Sequence, residues 1–297
     1  MAQKQYKPHY EHLKNKWFDR QKGLQKSLWE KHKDALHWFA MHLPGKQHLI
    51  AGSLSSLMLA SAPTVQAFTI PKIFIAKEAI AADLGKNIFL INDLANVVPR
   101  EVRLLRPEEE ERIASILSTR FGFKVAPELE GKRLNRSYGY IGAEQHLARY
   151  PGDSMATHFA TQKDAEKFYS SGMAPGLGAW GYFAFSRDMM TNLDSDREKY
   201  YIAVQTFLAP HFAENISDHF NFFKYRKMLV VNHQNGKALV ADIGDAGPAE
   251  WTGKSLGGSP EVMKYLERVD GKGRGPVLYF FIDDPNDTIP LGPVDIQ

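Results

Sequence analysis

From about Asp164 onward the chain is a succession of short apolar runs cut by Gly, Pro, Asn and Asp. The runs are GYFAF (181–185), YYIAVQTFL (200–208), KMLVVN (227–232), KALVADI (237–243) and PVLYFFI (276–282). Short β-type runs at this spacing predict a compact barrel or sandwich. Asn235-Gly236 separates two of them, and that dipeptide is the strongest short-range hairpin signal. One helix interrupts the series. Ser259 can cap it, Pro260 suits its first turn and Glu261 meets the positive end of its dipole, ahead of VMKYL.

Residues 68–165 read differently. Ile70–Ile80 (IPKIFIAKEAI) is apolar, and NIFLI at 87–91 is a short strand or helix. Pro107 followed by four glutamates opens a helix through Phe121, so that acid run is a helix start and carries no catalytic weight. Residues 122–165 are loop-rich and hold neither a repeat nor a motif that carries chemistry. The expected class is therefore α+β. With 297 residues, 43% hydrophobic and 24% charged, the chain can build a packed core, which excludes wholesale disorder.

The charge is unevenly spread. Residues 1–67 carry ten Lys/Arg and four Asp/Glu, so the net +3 of the whole chain leaves the remainder at −3. A body with that balance lacks the basic surface that nucleic acid demands, and no nucleic-acid partner is expected. The uncharged run Leu49–Ser61 is shorter than the about 20 apolar residues of a membrane span, but it suits a secretory signal, with small residues at Val65 and Ala67 for cleavage. Residues 1–47 form a basic amphipathic leader, and 48–67 a signal peptide or a retained membrane anchor. Export to the extracytoplasmic side is the expectation; the alternative is a solvated helix ahead of a buried one in a cytosolic protein. There are no cysteines, which removes disulfide scaffolds, thiol nucleophiles and cysteine metal sites.

Two phosphate-loop patterns fail on context. Gly176-Leu177-Gly178-Ala179-Trp180-Gly181 satisfies G-x-G-x-x-G, but no buried strand precedes it and no helix follows. Gly253-Lys254-Ser255 looks like a P-loop ending, but Gly247 is one residue too far upstream. Both read as turn glycines.

Lys227–Leu266 holds a strand (Met228–Asn232), the Asn235-Gly236 hairpin, a second strand (Ala238–Ile243), an Asp245-Ala246-Gly247-Pro248 turn, and Gly258-Ser259-Pro260 opening a helix. In this order the features resemble double-psi β-barrel domains, with rare lipoprotein A, lytic transglycosylases, expansins and family-45 endoglucanases as the nearest relatives. The resemblance is close over these residues and loose over 166–285. It implies a six-stranded double-psi β-barrel at 166–285, after a mixed helical and loop region at 68–165.

The same resemblance implies an exported bacterial cell-wall protein that binds and cleaves peptidoglycan, with Asp245 at the family's catalytic aspartate. A carboxylic acid can protonate the leaving oxygen of a glycosidic bond, and in lytic transglycosylases the same group then acts as base. Capping the turn is the competing role for Asp245. Asp242 and Glu250 are the candidate second carboxylates, Asp242 being expected to face outward. Trp251, Tyr200, Tyr201 and Gln205 are candidate groove residues. The family's histidine is missing from YYIAVQTFL, which leaves open a non-catalytic, expansin-like glycan binder or a membrane-anchored interaction protein. His211, His219 and His233 show no metal-ligand spacing, and nothing calls for a cofactor.

Overall fold

A computed structural model describes residues 86–268 and 274–297; the leader, the 48–67 segment and Ile70–Ile80 lie outside the described residues. Residues 86–95 are helical. After them come α1 (Pro107–Phe121), the short strands β1 (Val125–Ala126), β2 (Glu128–Leu129) and β3 (Lys132–Arg133), and β4 (Tyr138–Ala143). A long connection holds α2 (Met155–His158), α3 (Gln162–Phe168) and α4 (Asn192–Lys199), and leads to β5 (Tyr201–Val204) and α5 (Ile216–Phe223). Then follow β6 (Lys227–Val231), β7 (Ala238–Ala246), β8 (Leu256–Gly258), α6 (Pro260–Tyr265), β9 (Arg274–Ile282) and β10 (Gly292–Pro293). No helix among the described residues is long and apolar enough to cross a membrane.

Six strands close a mixed barrel in the order β4–β8–β5–β7–β6–β9 and back to β4. Two pairs are parallel, β4 with β8 and β5 with β7, and the other four are antiparallel. Alternation along each strand sorts its side chains. Met228 and Val230 of β6, Leu239, Ala241 and Ile243 of β7, and Val277, Tyr279 and Phe281 of β9 fill the interior. Their neighbours Leu229, Val231, Ala238, Val240, Leu278 and Phe280 point outward, where Ile113, Leu117 and Phe121 of α1 and Leu90 and Leu94 of the 86–95 helix cover them. Both faces are dry, so these runs read as continuously apolar rather than alternating.

Helix α1 begins as its sequence dictates. Pro107 occupies the first turn with Glu108, Glu109 and Glu110, and Gly122 ends it in the left-handed region at φ 74°. Glu110 also ties the helix to the start of β4, because its buried carboxylate accepts hydrogen bonds from Ser137 and Arg133.

Three expectations change. β4 lies upstream of residue 166, so the barrel draws one of its six strands from the region read as helix and loop. β4 and β8 (YGYIGA and LGG) are glycine-rich and escape a propensity reading, since glycine is depleted in strands. The glycines answer close packing instead: a Cβ on Gly139 would lie 2.4 Å from the Ser255 Cβ. Finally, GYFAF is not a strand. Gly181 turns at φ 78° and the Ala184 N–H donates to the Arg149 carbonyl, so the run wraps the barrel without joining it.

One irregularity positions the candidate site. Ile202 pairs with Ile243 but Ala203 with Asp245, so Gly244 is the extra residue of a β-bulge. Strict alternation after Leu239, Ala241 and Ile243 would send Asp245 into the apolar interior. The bulge turns it to the outer face, level with Ala203. A Cβ on Gly244 would lie 2.6 Å from the Tyr201 Cβ, so only glycine fits. Gly244→Ala should therefore cost about 1–3 kcal/mol, as overpacking typically does, read as a lower urea midpoint with an unchanged slope.

Candidate functional site

Asp245 stands half-buried near the end of β7. Its Oδ1 accepts the Ala179 N–H at 2.6 Å and the Ala246 N–H at 2.8 Å. Ala179 belongs to the glycine-rich 176–181 segment. Gly178 brings that segment down on β7, where a Cβ would sit 3.3 Å from the Gly244 carbonyl, and the Trp180 indole N–H donates to the Ile243 carbonyl at 2.8 Å. The G-x-G-x-x-G run is thus a turn that cradles a carboxylate of its own chain. Burial raises the Asp245 pKa, and the two backbone N–H bonds only partly oppose it.

Beyond Asp245, the chain runs through a cis Gly247-Pro248 bond into a loop that carries Glu250 and Trp251 on a single helical turn, Glu250–Thr252. Gln205 holds this loop, donating from Nε2 to the carbonyls of Pro248 at 3.0 Å and Lys254 at 3.3 Å. Glu250 is exposed, and Trp251 is 86% exposed. Asp245, Gln205, Glu250 and Trp251 therefore belong to one strand end and the loop that follows it.

The other three sequence candidates are placed elsewhere. Tyr201 is buried and its hydroxyl donates to the Gln145 carbonyl, which removes it from any open groove. Tyr200 is half-buried against Gly292. Asp242 faces away from the barrel interior, as the alternation predicts, yet is only 1% exposed because the Arg197 and Tyr225 side of the molecule closes over it. Its nearest cation is Arg197 Nε at 3.7 Å, and neither carboxyl oxygen has a hydrogen-bond partner among the described residues.

Burial pushes the Asp242 pKa far above 3.8, against the pull of Arg197. A raised carboxyl stabilises the fold fully below its unfolded pKa and loses that contribution as pH rises through the folded one. Asp242→Asn should consequently stabilise the protein at neutral pH, because the amide cannot take up the charge that burial penalises. Thermal melts should show this gap closing as the pH falls below 3.8.

Residues 122–165, read as free of chemistry, supply two histidines to a second constellation. His146 follows β4, His158 ends α2, Glu198 lies in the last turn of α4 and Glu261 opens α6. His146 Nδ1 lies 3.3 Å from Glu198 Oε1 and 3.9 Å from Glu261 Oε2. His158 Nε2 lies 3.1 Å from Glu198 Oε2, and its Nδ1 lies 3.1 Å from Asp153 Oδ2. Arg149 grips the same Asp153 through Nε at 2.8 Å and Nη2 at 3.1 Å. Burial disfavours a charged His158, but the Asp153 and Glu198 carboxylates prevail and its pKa rises to about 9. Glu261 goes the other way, raised by burial to about 7.

No spacing betrays this cluster. Its members come from four elements far apart along the chain, and only the barrel brings them together. The histidines considered from sequence have ordinary settings: His211 pairs with exposed Glu214, His219 lies between the Asn215 and Pro210 carbonyls, and burial lowers His233 to a pKa of about 4 against the Tyr138 ring. Comparison with protein-family models finds none that matches the chain. A search of curated proteins likewise finds no match.

Proposed function

We propose that this is an exported protein of the bacterial cell envelope whose barrel is of the double-psi type, similar to rare lipoprotein A. The barrel binds the glycan strands of peptidoglycan and cleaves them with Asp245 as acid and then base. The observation that carries this reading is the Asp245 carboxyl group. It is half-buried with a raised pKa, one oxygen is held by two N–H groups, and the other accepts no hydrogen bond from the described residues. A carboxyl fixed in this way stays protonated at higher pH than a free one and keeps one oxygen available to a substrate.

The chemistry balances within the sugar. Asp245 gives its proton to the glycosidic oxygen as the bond from that oxygen to the anomeric carbon breaks. The carboxylate then takes a proton from a hydroxyl of the same sugar, which attacks the anomeric carbon and yields an anhydro product. Hydrolysis with two carboxylates needs a partner facing Asp245 across the bond. Asp242 is buried away from solvent and Glu250 is exposed on the loop, so the single-acid route is the better supported. The exposed Trp251 ring supplies a stacking surface for a sugar, which would also serve a binder without activity.

The test is incubation of the full chain with isolated peptidoglycan and mass spectrometry of the soluble products. Anhydro-muropeptides support the proposal. Reducing-end products mean a hydrolase and bring Glu250 back as second carboxylate. Pelleting with the wall and no release leaves a binding module.

A further inference from the structure

His146, His158 and Glu198 form one buried cluster, and Glu261 reaches its edge at His146. The donor atoms of His146, His158 and Glu198 all lie within 4.8 Å of one another, and Glu261 Oε2 adds a fourth, 3.9 Å from His146 Nδ1. In a tetrahedral site with metal–ligand bonds of about 2.0–2.1 Å, donors stand about 3.3 Å apart. His146 Nδ1 and His158 Nε2 each meet one oxygen of the Glu198 carboxylate, at 3.3 Å and 3.1 Å, and Glu261 Oε2 stands 3.9 Å from His146 Nδ1, spacings of that order. The longest of them is too long for a hydrogen bond. Glu261 Oε2 is buried and finds no hydrogen-bond partner among the described residues, although it is aimed at the imidazole. Hydrogen bonding alone leaves that oxygen unsatisfied; an ion between the donors satisfies it.

Behind His158 the surroundings match a metal centre as well, whereas His146 Nε2 finds no partner among the described residues. His158 presents Nε2 to the cluster and Nδ1 to Asp153, which Arg149 holds in turn. A carboxylate behind a ligating imidazole fixes its tautomer and orientation. Two carboxylates among the four donors balance a doubly charged cation.

We propose that His146, His158, Glu198 and Glu261 bind one divalent transition-metal ion of the zinc class. The four side chains are no more than 11% exposed, so the site is closed and the ion is structural. It ties together the two ends of the 144–200 connection, where His146 and Glu198 sit, and fastens them to α6 through Glu261. That connection carries Ala179, one of the two donors on Asp245.

The test strips the full-length chain with EDTA, returns zinc and counts ions per chain by elemental analysis after gel filtration, with thermal melts alongside. The leader histidines offer other zinc ligands, so the comparison with variants decides. Glu198→Gln and Glu261→Gln should each bind one ion fewer than the wild type and lose a zinc-dependent rise in Tm of several degrees. Asp153→Asn should keep the ion but weaken it about 10–100-fold, the usual effect of losing such a supporting carboxylate. Glu261 lies at the edge of the cluster, so its variant reports on binding even where Glu198→Gln fails to fold. The proposal is overturned if wild type and Glu261→Gln hold the same number of ions, or if zinc leaves the wild-type Tm unchanged.

Discussion

Asp245→Asn is expected to lower release of anhydro-muropeptides about 10²–10⁴-fold, the contribution typical of a positioned general acid. Asparagine keeps the shape, and its Oδ1 can still accept the Ala179 and Ala246 N–H groups. The loss should therefore fall on the rate while binding to the wall persists. The pH profile gives a second reading. The acid must be protonated, so wild-type activity declines as pH rises through the Asp245 pKa. Burial places that limb above the ordinary carboxylate value of 3.8. Residual activity of Asp245→Asn should lack the limb. Stability should move in the opposite sense: a carboxyl whose pKa is raised on folding contributes less as pH rises, so the amide should be neutral or stabilising near pH 7. A variant that cleaves at the wild-type rate would end the assignment of Asp245 as the acid.

The second large effect concerns Asp153→Ala. Asp153 accepts the Arg149 guanidinium twice, the Arg149 N–H, the Ser154 N–H and His158. Removing it leaves Arg149, only 6% exposed, without its carboxylate and with the Thr157 carbonyl at 3.4 Å as its remaining acceptor. Breaking a buried ion pair from one side costs about 3–5 kcal/mol, and for a domain of this size each kcal/mol lowers Tm by about 2–4 °C. Melts run in EDTA separate this cost from any bound ion. A fall of less than a few degrees would mean that water replaces the carboxylate and that the cluster is looser than its distances suggest. The same substitution at an exposed pair, Glu214→Ala beside His211, should change almost nothing, because solvent screens it.

How much of this was legible in the sequence varies by element. β6, β7 and β9 announce themselves because both their faces are dry, so Lys227–Val231, Ala238–Ala246 and the Pro276–Ile282 part of β9 are nearly continuous apolar runs. The 232–237 hairpin follows from Asn235-Gly236, and α1 and α6 from their prolines and acids. β4 and β8 were illegible for the opposite reason. Their glycines lie under side chains that reach them from distant parts of the chain, Ser255 and Lys254 on β4 and Glu144 on β8, and no local rule anticipates those contacts. YYIAVQTFL was half legible: β5 ends at Val204, where Gln205 turns the backbone and its side chain bonds to the loop after β7.

The candidate site divides in the same way. That an aspartate stands at residue 245 beside a Gly-Pro turn is a property of the sequence, as are the hairpin, the helix starts and the α+β class. Which way that aspartate faces is not. It depends on one extra residue in β7, on the fit of Gly244 against Tyr201, and on a segment 66 residues upstream whose N–H group meets its oxygen. The buried cluster is a tertiary product entirely, because His146, His158, Glu198 and Glu261 share no period or motif. Sequence reading sees what neighbours along the chain decide, namely propensity, capping and alternation. Burial and charge pairing are decided by neighbours in space, and those exist only once the barrel closes.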